Sequence, residues 1–210
     1  MARQPGAPLR ACLLSGGESR RMGRDKALLP HPDGGCWLEQ SVRRLAALEL
    51  PITLLSRHGA HLALATRLAE ALRVERGCAS EIPASRLLAA VAEPPPWEGP
   101  LLALQRLMEL HPHQRLLLCP VDMPALTTGV LQQLLAAAAQ DPGAIHLAHD
   151  GERLQPLLGI YPSHADHRAS LASRVAAGER RLQSWLGSAD LPIAHVRDRK
   201  STRLNSSHRT

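Results

Sequence analysis

Aromatic side chains are almost absent from this sequence. Its 210 residues contain no phenylalanine, and aromatic residues make up only 2% of the total. Aliphatic side chains must therefore fill the core, which the 44% hydrophobic content permits, since a chain of this length buries about 70% of its unfolded surface. The shortage of aromatic stacking surfaces also argues against a protein that binds single-stranded nucleic acid.

Cysteine pairs and long apolar runs are scarce too. The four cysteines are widely spaced, with no C-x-x-C pair, which is typical of a reducing cytoplasm rather than of disulfides or a zinc site. No apolar run reaches the roughly 18 residues of a membrane span, and the N-terminus has no signal-peptide core. We expect a cytoplasmic monomer that has no membrane partner.

Positive charge exceeds negative charge, with a formal net charge of +6. This balance favours an anionic partner such as a nucleotide or a phosphorylated metabolite. Most of the positive charge is scattered arginine, which is normally solvated surface, so nucleic-acid binding is a weaker interpretation and no nucleic-acid partner is expected.

The C-terminal segment differs from the rest of the chain. Residues 198–210 read DRKSTRLNSSHRT and hold the only asparagine, Asn205, and one of the two lysines, Lys200. The segment also resembles translated sequencing-adapter DNA. We expect a single domain over residues 1–197 with a truncated native C-terminus, followed by a non-native tail over residues 198–210.

Strand and helix patterns alternate along residues 1–197. Strands are predicted at 10–14, 51–56, 115–122, 144–150, 155–161 and 192–196, with 86–93 as a strand or a helix. The GER stretch (151–153) is predicted as a turn between the two strands that flank it. Helices are predicted at 37–48, 61–72, 101–110, 127–140 (with Thr127 as N-cap), 163–177 and 180–187, and residues 73–86 as irregular. The alternation predicts an α/β, three-layer Rossmann-like domain with a mostly parallel sheet and helices on both faces.

Two strand exits carry the charged residues that a ligand site needs. In sheets of this kind, ligands bind where loops leave the carboxyl ends of the strands. The first exit reads LSGGESRRMGRDK (14–26) and the second reads CPVDMP (119–124). We therefore expect the site to lie between these two exits.

The first exit has the composition of a phosphate-binding loop. Gly16 and Gly17 let the backbone turn sharply, and consecutive N–H groups there can line an anion cradle. Lys26 is the one lysine before the tail, and its compact ammonium differs from the planar guanidinium used elsewhere. Further donors come from Ser19, Arg20 and Arg21. The stretch matches neither the Walker A pattern nor G-x-G-x-x-G.

The second exit offers a carboxylate. Asp122 ends an apolar strand, and Mg²⁺ typically takes one or two carboxylates together with substrate phosphates and water. We interpret Asp122 as a magnesium ligand, with an N-capping aspartate as the alternative.

These motifs resemble those of a known family. LSGGESRRMGRDKALL is similar to the L-A-G-G-x-S-x-R-M-G-x-D-K-A-L-L signature of the molybdenum cofactor guanylyltransferase (MobA-like) family, in the nucleotidyltransferase superfamily. Other motifs of this family are matched by EGPLLAL (98–104), LLLCPVDMP (116–124), DGERLQPLLGIY (150–161) and GERRLQSWL (178–186). The resemblance implies transfer of GMP from GTP to the phosphate of molybdenum-molybdopterin, with release of pyrophosphate and Mg²⁺ as cofactor. The implied partners are other molybdenum cofactor biosynthesis proteins, molybdoenzymes or their chaperones.

The resemblance also implies roles for individual residues. Catalytic roles fall to Arg21, Lys26 and Asp122, with Asp122 as the metal ligand. Nucleotide contacts fall to Leu14, Ser15, Gly16, Gly17, Lys26, Ser56, Glu93, Gly99, Pro100 and Asp122. Pterin contacts fall to Asp150, Arg153, Gln155, Pro156, Arg180 and Arg181, for which a hairpin turn and a charged helix start are the alternative interpretation.

Four departures from the family pattern bear on base specificity and activity. Ser15 stands where the family usually has Ala, and Ser56 or Arg57 stands near the position of its guanine-reading Asn. Glu93 is the nearest acid to the Asp that usually precedes the Pro/Gly loop, and the closing N-x-N-T-P-like segment is absent. The alternatives are therefore a molybdopterin cytidylyltransferase, a nucleotidyltransferase for another phosphorylated acceptor, or a non-catalytic nucleotide-binding protein.

Overall fold

A computed structural model describes residues 7–17, 25–77, 84–124, 126–188 and 191–197. The strands are β1 (Leu9–Leu14), β2 (Ile52–Ser56), β3 (Leu88–Ala92), β4 (Arg115–Pro120), β5 (Ile145–His149), β6 (Leu154–Pro162) and β7 (Ile193–Arg197). The helices are α1 (Trp37–Ala46), α2 (Gly59–Glu75), α3 (Pro100–Leu110), α4 (Thr128–Gln140), α5 (Ala165–Ala176) and α6 (Leu182–Ser188), with short 3-10 helices at Lys26–Leu28 and Ala84–Arg86.

The strands form one sheet of mostly parallel pairs, which confirms the predicted α/β class. The strand order is β3-β2-β1-β4-β6-β5-β7. β1, β2 and β3 pair in parallel, as do β5 and β7, whereas β6 is antiparallel to both β4 and β5. The chain divides into two compact units, which we call the N-terminal unit (Arg10–Pro95 with Cys119–Asp122) and the C-terminal unit (the remaining described residues).

The N-terminal unit is built on the parallel pairs of β1, β2 and β3. β2 pairs with both of the other strands, and all five of its residues are buried because it is covered on both faces. The core is aliphatic, as the composition predicted, with Leu13 and Leu54 fully buried. Cys12 lies in the same core, and burial raises the pKa of its thiol to about 12, so it packs as a small hydrophobic residue.

The C-terminal unit contains the antiparallel pairs and helices α3 to α6. A turn at Asp150–Arg153 joins β5 to β6, as the GER stretch predicted, with Gly151 at a φ of +100° that favours glycine. Thr127 caps α4 by accepting a hydrogen bond from the backbone N–H of Val130, which confirms its predicted role. The stacked rings of Tyr161 and Trp185 lie 6.3 Å apart in the core of this unit.

Most predicted boundaries shift by one to three residues, and α2 runs from 59 to 75 instead of 61 to 72. The stretch 86–93, left open between strand and helix, contains strand β3, all five residues of which pair with β2. The segment 73–86, predicted as irregular, contains the last turn of α2, where Arg73 and Glu70 form an ion pair at 2.9 Å, and the 3-10 helix Ala84–Arg86. None of the helices in the described ranges has the length and apolarity that a bilayer-spanning segment needs.

Candidate functional site

The chain turns away from the sheet immediately after β1, in the N-terminal unit. Ser15 continues the sheet by one hydrogen bond, from its N–H to the carbonyl oxygen of Leu55 at 3.1 Å. A Cβ atom on Gly16 would lie 2.9 Å from Oε2 of Glu93, so glycine is what lets this carboxylate approach the backbone. Gly17 is exposed and has open space where a side chain would stand. Neither glycine is among the residues with positive φ, so the predicted phosphate-binding role of Gly16 and Gly17 stays a prediction.

The described chain resumes at Asp25, next to the predicted phosphate-binding lysine. Lys26 begins the short helix Lys26–Leu28 and is half-buried. Asp25 caps this helix, because its Oδ1 accepts a hydrogen bond from the N–H of Ala27 at 3.1 Å. The predicted contributions of Ser19, Arg20 and Arg21 lie outside the described residues.

A buried histidine connects the two ends of this segment. His61 is the third residue of α2, and its side chain is only 2% exposed. Its Nε2 lies 2.6 Å from Oδ2 of Asp25, and its Nδ1 lies 2.8 Å from Oγ of Ser15. The sequence interpretation did not single out His61, because nothing in its local spacing distinguishes it from a core histidine.

Ser56 belongs to the same buried cluster. It is fully buried, and its hydroxyl donates to the carbonyl oxygen of Ser15 at 2.7 Å and accepts from the N–H of His58 at 3.1 Å. Its oxygen also lies 3.1 Å from Nδ1 of His61. The hydroxyl of Ser56 is thus engaged within the protein, and its predicted nucleotide contact stays a prediction.

The second strand exit approaches the first within the N-terminal unit. The N–H of Val121 donates to the carbonyl oxygen of Leu14 at 3.1 Å, directly before Ser15. Asp122 follows and is exposed, as a carboxylate that meets a ligand must be. Leu14, Ser15, Gly16, Glu93 and the backbone leading to Asp122 are thus joined by direct contacts, and Lys26 is tied to them through Asp25 and His61.

Other predicted residues lie together in the C-terminal unit. Gly99 precedes α3 with a φ of +103°, and Pro100 is the first residue of that helix. Arg180 binds the carboxylate of Glu98 at 2.6 Å, and its carbonyl oxygen would lie 3.4 Å from a Cβ on Gly99. The EGPL and GERR motifs therefore contact each other directly.

The GERR motif also builds its own helix start. Oε1 of Glu179 accepts hydrogen bonds from the N–H groups of Arg180 and Arg181, and these bonds lower the pKa of the Glu179 carboxyl. Arg181 is exposed. The charged helix start that the sequence analysis held as an alternative is thus present, and it leaves the guanidinium of Arg181 at the surface.

The DGERLQPL motif forms a hydrogen-bonded turn. Oδ1 of Asp150 accepts from the N–H groups of Glu152 and Arg153, both at 2.9 Å, and Nε2 of Gln155 donates to Oδ2 at 2.6 Å. Burial pushes the pKa of Asp150 upwards, but these bonds and the Arg153 charge outweigh it and lower the pKa. Further along, the hydroxyl of Tyr161 donates to the carbonyl oxygen of Pro156. Asp150 and Gln155 therefore shape a hairpin turn, the alternative interpretation given above.

Comparison with known families tests the resemblance that the motifs indicated. Residues 11–193 match the model of the MobA-like NTP transferase domain. The chain belongs to this family. A relative from Rhodopirellula baltica is named probable molybdenum cofactor guanylyltransferase. It is 39% identical to this chain over 204 residues, which cover 95% of this chain and 87% of that protein. The resemblance stated from the motifs is therefore confirmed.

Solved structures support the same fold for this MobA-like chain. Molybdopterin-guanine dinucleotide biosynthesis protein A from Archaeoglobus fulgidus superposes with a TM-score of 0.60 at 16% identity, covering 90% of this chain and 83% of that one. A Mycobacterium tuberculosis protein solved in complex with manganese gives a TM-score of 0.54 at 17% identity, covering 92% and 89%. At these identities the likeness shows the fold alone, and it confirms the Rossmann-like α/β prediction.

Proposed function

We propose that this chain is a molybdenum cofactor guanylyltransferase, which moves GMP from GTP onto the phosphate of molybdenum-molybdopterin. The observation that carries the proposal is the N-terminal unit's pair of strand exits, where Ser15–Gly17 and Asp122 are joined through the Val121–Leu14 hydrogen bond. The names of the curated relatives support the same activity.

The reaction needs charge stabilisation more than a strong base. An oxygen of the pterin phosphate, already ionised, forms a bond to the α-phosphorus of GTP, and the bond to the β-phosphate oxygen breaks to release pyrophosphate. We assign the backbone N–H groups that follow Leu14, together with Lys26 and Arg21, to the negative charge of the phosphates. Glu93, which lies against Gly16, is the carboxylate we assign to the nucleoside side of this loop.

A divalent cation fits the donor set only if the substrate completes its coordination. The described residues contain no group of three or more His, Cys, Asp or Glu side chains that would hold a metal ion alone. One exposed carboxylate, Asp122, plus substrate phosphates and water is the ligand set that Mg²⁺ prefers in nucleotide enzymes. When bound, the ion neutralises charge on the α-phosphate and the leaving pyrophosphate. The manganese complex of the Mycobacterium tuberculosis neighbour supports a divalent ion, and we propose Mg²⁺.

We assign the pterin to the C-terminal unit. Exposed basic side chains of the C-terminal unit can contact the phosphate of the pterin, and the hydrogen-bonded turn around Asp150 fixes the backbone of Arg153. The candidates for contact are Arg153, Gln155, Pro156, Arg180 and Arg181, with Gly99 and Pro100 shaping the adjacent loop. We propose that the protein works in the cytoplasm as a monomer, passing its product to other cofactor-biosynthesis proteins, molybdoenzymes or their chaperones.

A cytidylyltransferase is the second candidate. The hydroxyl of Ser56 is bonded to the Ser15 carbonyl oxygen, so guanine reading at this position would have to come from Arg57. Without a base-reading polar group there, selectivity for GTP over CTP would be reduced.

Pyrophosphate release tests these proposals. With molybdenum-molybdopterin and Mg²⁺, we expect GTP to support turnover well above CTP and ATP, whereas faster turnover with CTP would establish the second candidate. Asp122→Asn should lower kcat at least about 100-fold, because it removes the charge that holds the ion while keeping the shape. Asp141→Asn, at an exposed aspartate after α4, is the matched control and should retain wild-type turnover. Nucleotide binding without pyrophosphate release from any of the three would leave a binding protein and refute the enzyme.

A further inference from the structure

His61 faces both ends of the segment that follows β1. Its two ring nitrogens contact Ser15, where the segment begins, and Asp25, where the described chain resumes. The side chain is 2% exposed and sits in the first turn of α2, so it is held by a rigid element of the N-terminal unit. One imidazole therefore bridges residues that are ten positions apart in the sequence.

The hydrogen bonds around the ring define its orientation. An ionised carboxylate can only accept, so Nε2 of His61 must carry a hydrogen and donate it to Oδ2 of Asp25. Ser56 donates its own hydrogen to the carbonyl oxygen of Ser15 at 2.7 Å. Nδ1 lies 2.8 Å from Oγ of Ser15, 2.9 Å from the carbonyl oxygen of Ser15 and 3.1 Å from Oγ of Ser56. The ring therefore contacts Ser15 through one nitrogen and Asp25 through the other, so it cannot turn without losing a contact at each end.

Both contacts bear on groups that the proposed reaction uses. Ser15 precedes the glycines whose N–H groups would meet the phosphates. Asp25 has two separate oxygen contacts: Oδ2 binds His61, while Oδ1 caps the short helix that begins with Lys26. Fixing both ends of a loop in advance removes part of the ordering cost that a ligand would otherwise have to meet.

We infer that His61 is a positioning residue that holds Ser15 and Asp25 in place relative to each other, so that the amides of Ser15–Gly17 and the adjacent Lys26 are preorganised for the triphosphate. The inference rests on the proposed function for its ligand, but this fastening of Ser15 and Asp25 is a property of the free protein. His61 touches neither nucleotide nor acceptor in this scheme, and it acts through Ser15 and Asp25.

The fastening is tested first by amide hydrogen exchange in the free protein, which reports local opening. In His61→Ala, peptides covering residues 15–17 and 25–28 should exchange about tenfold faster, while β4 residues 115–118 keep their wild-type rate. His58→Ala is the matched control, because this neighbouring imidazole lies 4.8 Å from the His61 ring, and its side chain makes no capping hydrogen bond although His58 is the N-cap residue of α2. Unchanged exchange at either end in His61→Ala overturns the inference.

Kinetics then separate positioning from a loss of overall stability. We expect His61→Ala to raise KM for the nucleotide about tenfold and to leave KM for the pterin acceptor within about twofold, since only Ser15 and Asp25 lose their fastening. His61→Gln, whose amide can still donate towards Asp25, should recover part of the effect. Equal increases in both KM values, or no recovery by glutamine, count against the inference.

Two further measurements keep the test decisive. Should His61→Ala fail to fold, Ser15→Ala removes the Oγ contact with Nδ1 and leaves the Asp25 contact in place, and exchange at residues 15–17 should rise while that at 25–28 stays closer to wild type. Should the wild-type protein release no pyrophosphate from any nucleotide, the proposed function fails. Hydrogen exchange in the free protein still decides whether His61 holds Ser15 and Asp25 in place.

Discussion

Replacing Ser56 with alanine should destabilise the protein far more than the same change at Ser41. The Ser56 hydroxyl is fully buried and makes a 2.7 Å hydrogen bond to the Ser15 carbonyl oxygen, besides accepting from the N–H of His58. The Ser41 hydroxyl makes a 3.4 Å contact with the carbonyl oxygen of Val121, at the limit of hydrogen-bond length. The two variants remove the same atom from the same unit, so their difference isolates the bonding of Ser56.

The expected cost follows from the groups left without partners. Truncating Ser56 leaves the buried carbonyl oxygen of Ser15 and the part-buried N–H of His58 short of one bond each, and such losses cost about 1–3 kcal/mol. Taking about 2 kcal/mol, and a shift of roughly 2–4 °C per kcal/mol for a chain of this size, the melting temperature should fall by about 4–8 °C. Ser41→Ala should cost about 0.5 kcal/mol or less, which is a shift of about 2 °C at most.

Thermal and urea unfolding, followed by circular dichroism, measure both variants under one buffer condition. An equal loss of stability in the two variants would refute the reasoning, because it would mean that the short, fully buried bond is worth no more than the long one. Nucleotide titration adds a second readout, in which Ser56→Ala should weaken binding because the Ser15 carbonyl is no longer held.

Two further predictions concern the C-terminal unit. Gly159→Ala should lower the free energy of unfolding in urea by about 1–3 kcal/mol, because its Cβ would lie 2.6 Å from the His146 carbonyl oxygen. Gly187→Ala has open space for its Cβ, so it should be neutral or stabilising by up to about 1 kcal/mol. Similar values for both variants would contradict this prediction. Burial lowers the pKa of both His146 and His167 below 6.5, so the folded state binds fewer protons than the unfolded state as the pH falls. The contribution of these two histidines to the free energy of unfolding should therefore be complete above pH 6.5 and decline below it. His167→Leu should make this decline shallower. An unchanged slope would exclude His167 as a contributor.

Most of the fold could be predicted because its elements carry local patterns. The apolar run at 115–122 contains β4, and the GER stretch predicted the turn that makes β5 and β6 antiparallel. The strand order could not be predicted in the same way, because no local pattern states that β7 pairs with β5. Pairing of this kind depends on contacts between residues far apart in the sequence.

The same distinction between local patterns and distant contacts applies to the candidate site. Gly16, Lys26 and Asp122 stand in motifs that can be recognised along the chain, and their elements lie in one unit. The cluster of Ser15, Asp25, Ser56 and His61 could not be predicted, because it consists of hydrogen bonds between four separate elements. Two of these residues, Ser15 and Ser56, were predicted as nucleotide contacts and noted as departures from the family pattern, but their contact with a histidine was not predicted. The structure shows that both hydroxyls lie within hydrogen-bond distance of the same imidazole.

The pairing of β7 with β5 has a consequence for biosynthesis. β1, β2 and β3 follow one another within the first 92 residues, so their pairing can begin while the ribosome is still translating the rest. β5, in contrast, stays without one neighbour until Ile193–Arg197 has been synthesised. During that interval β5 presents an open edge with unpaired backbone groups, the kind of surface that chaperones shield in nascent chains.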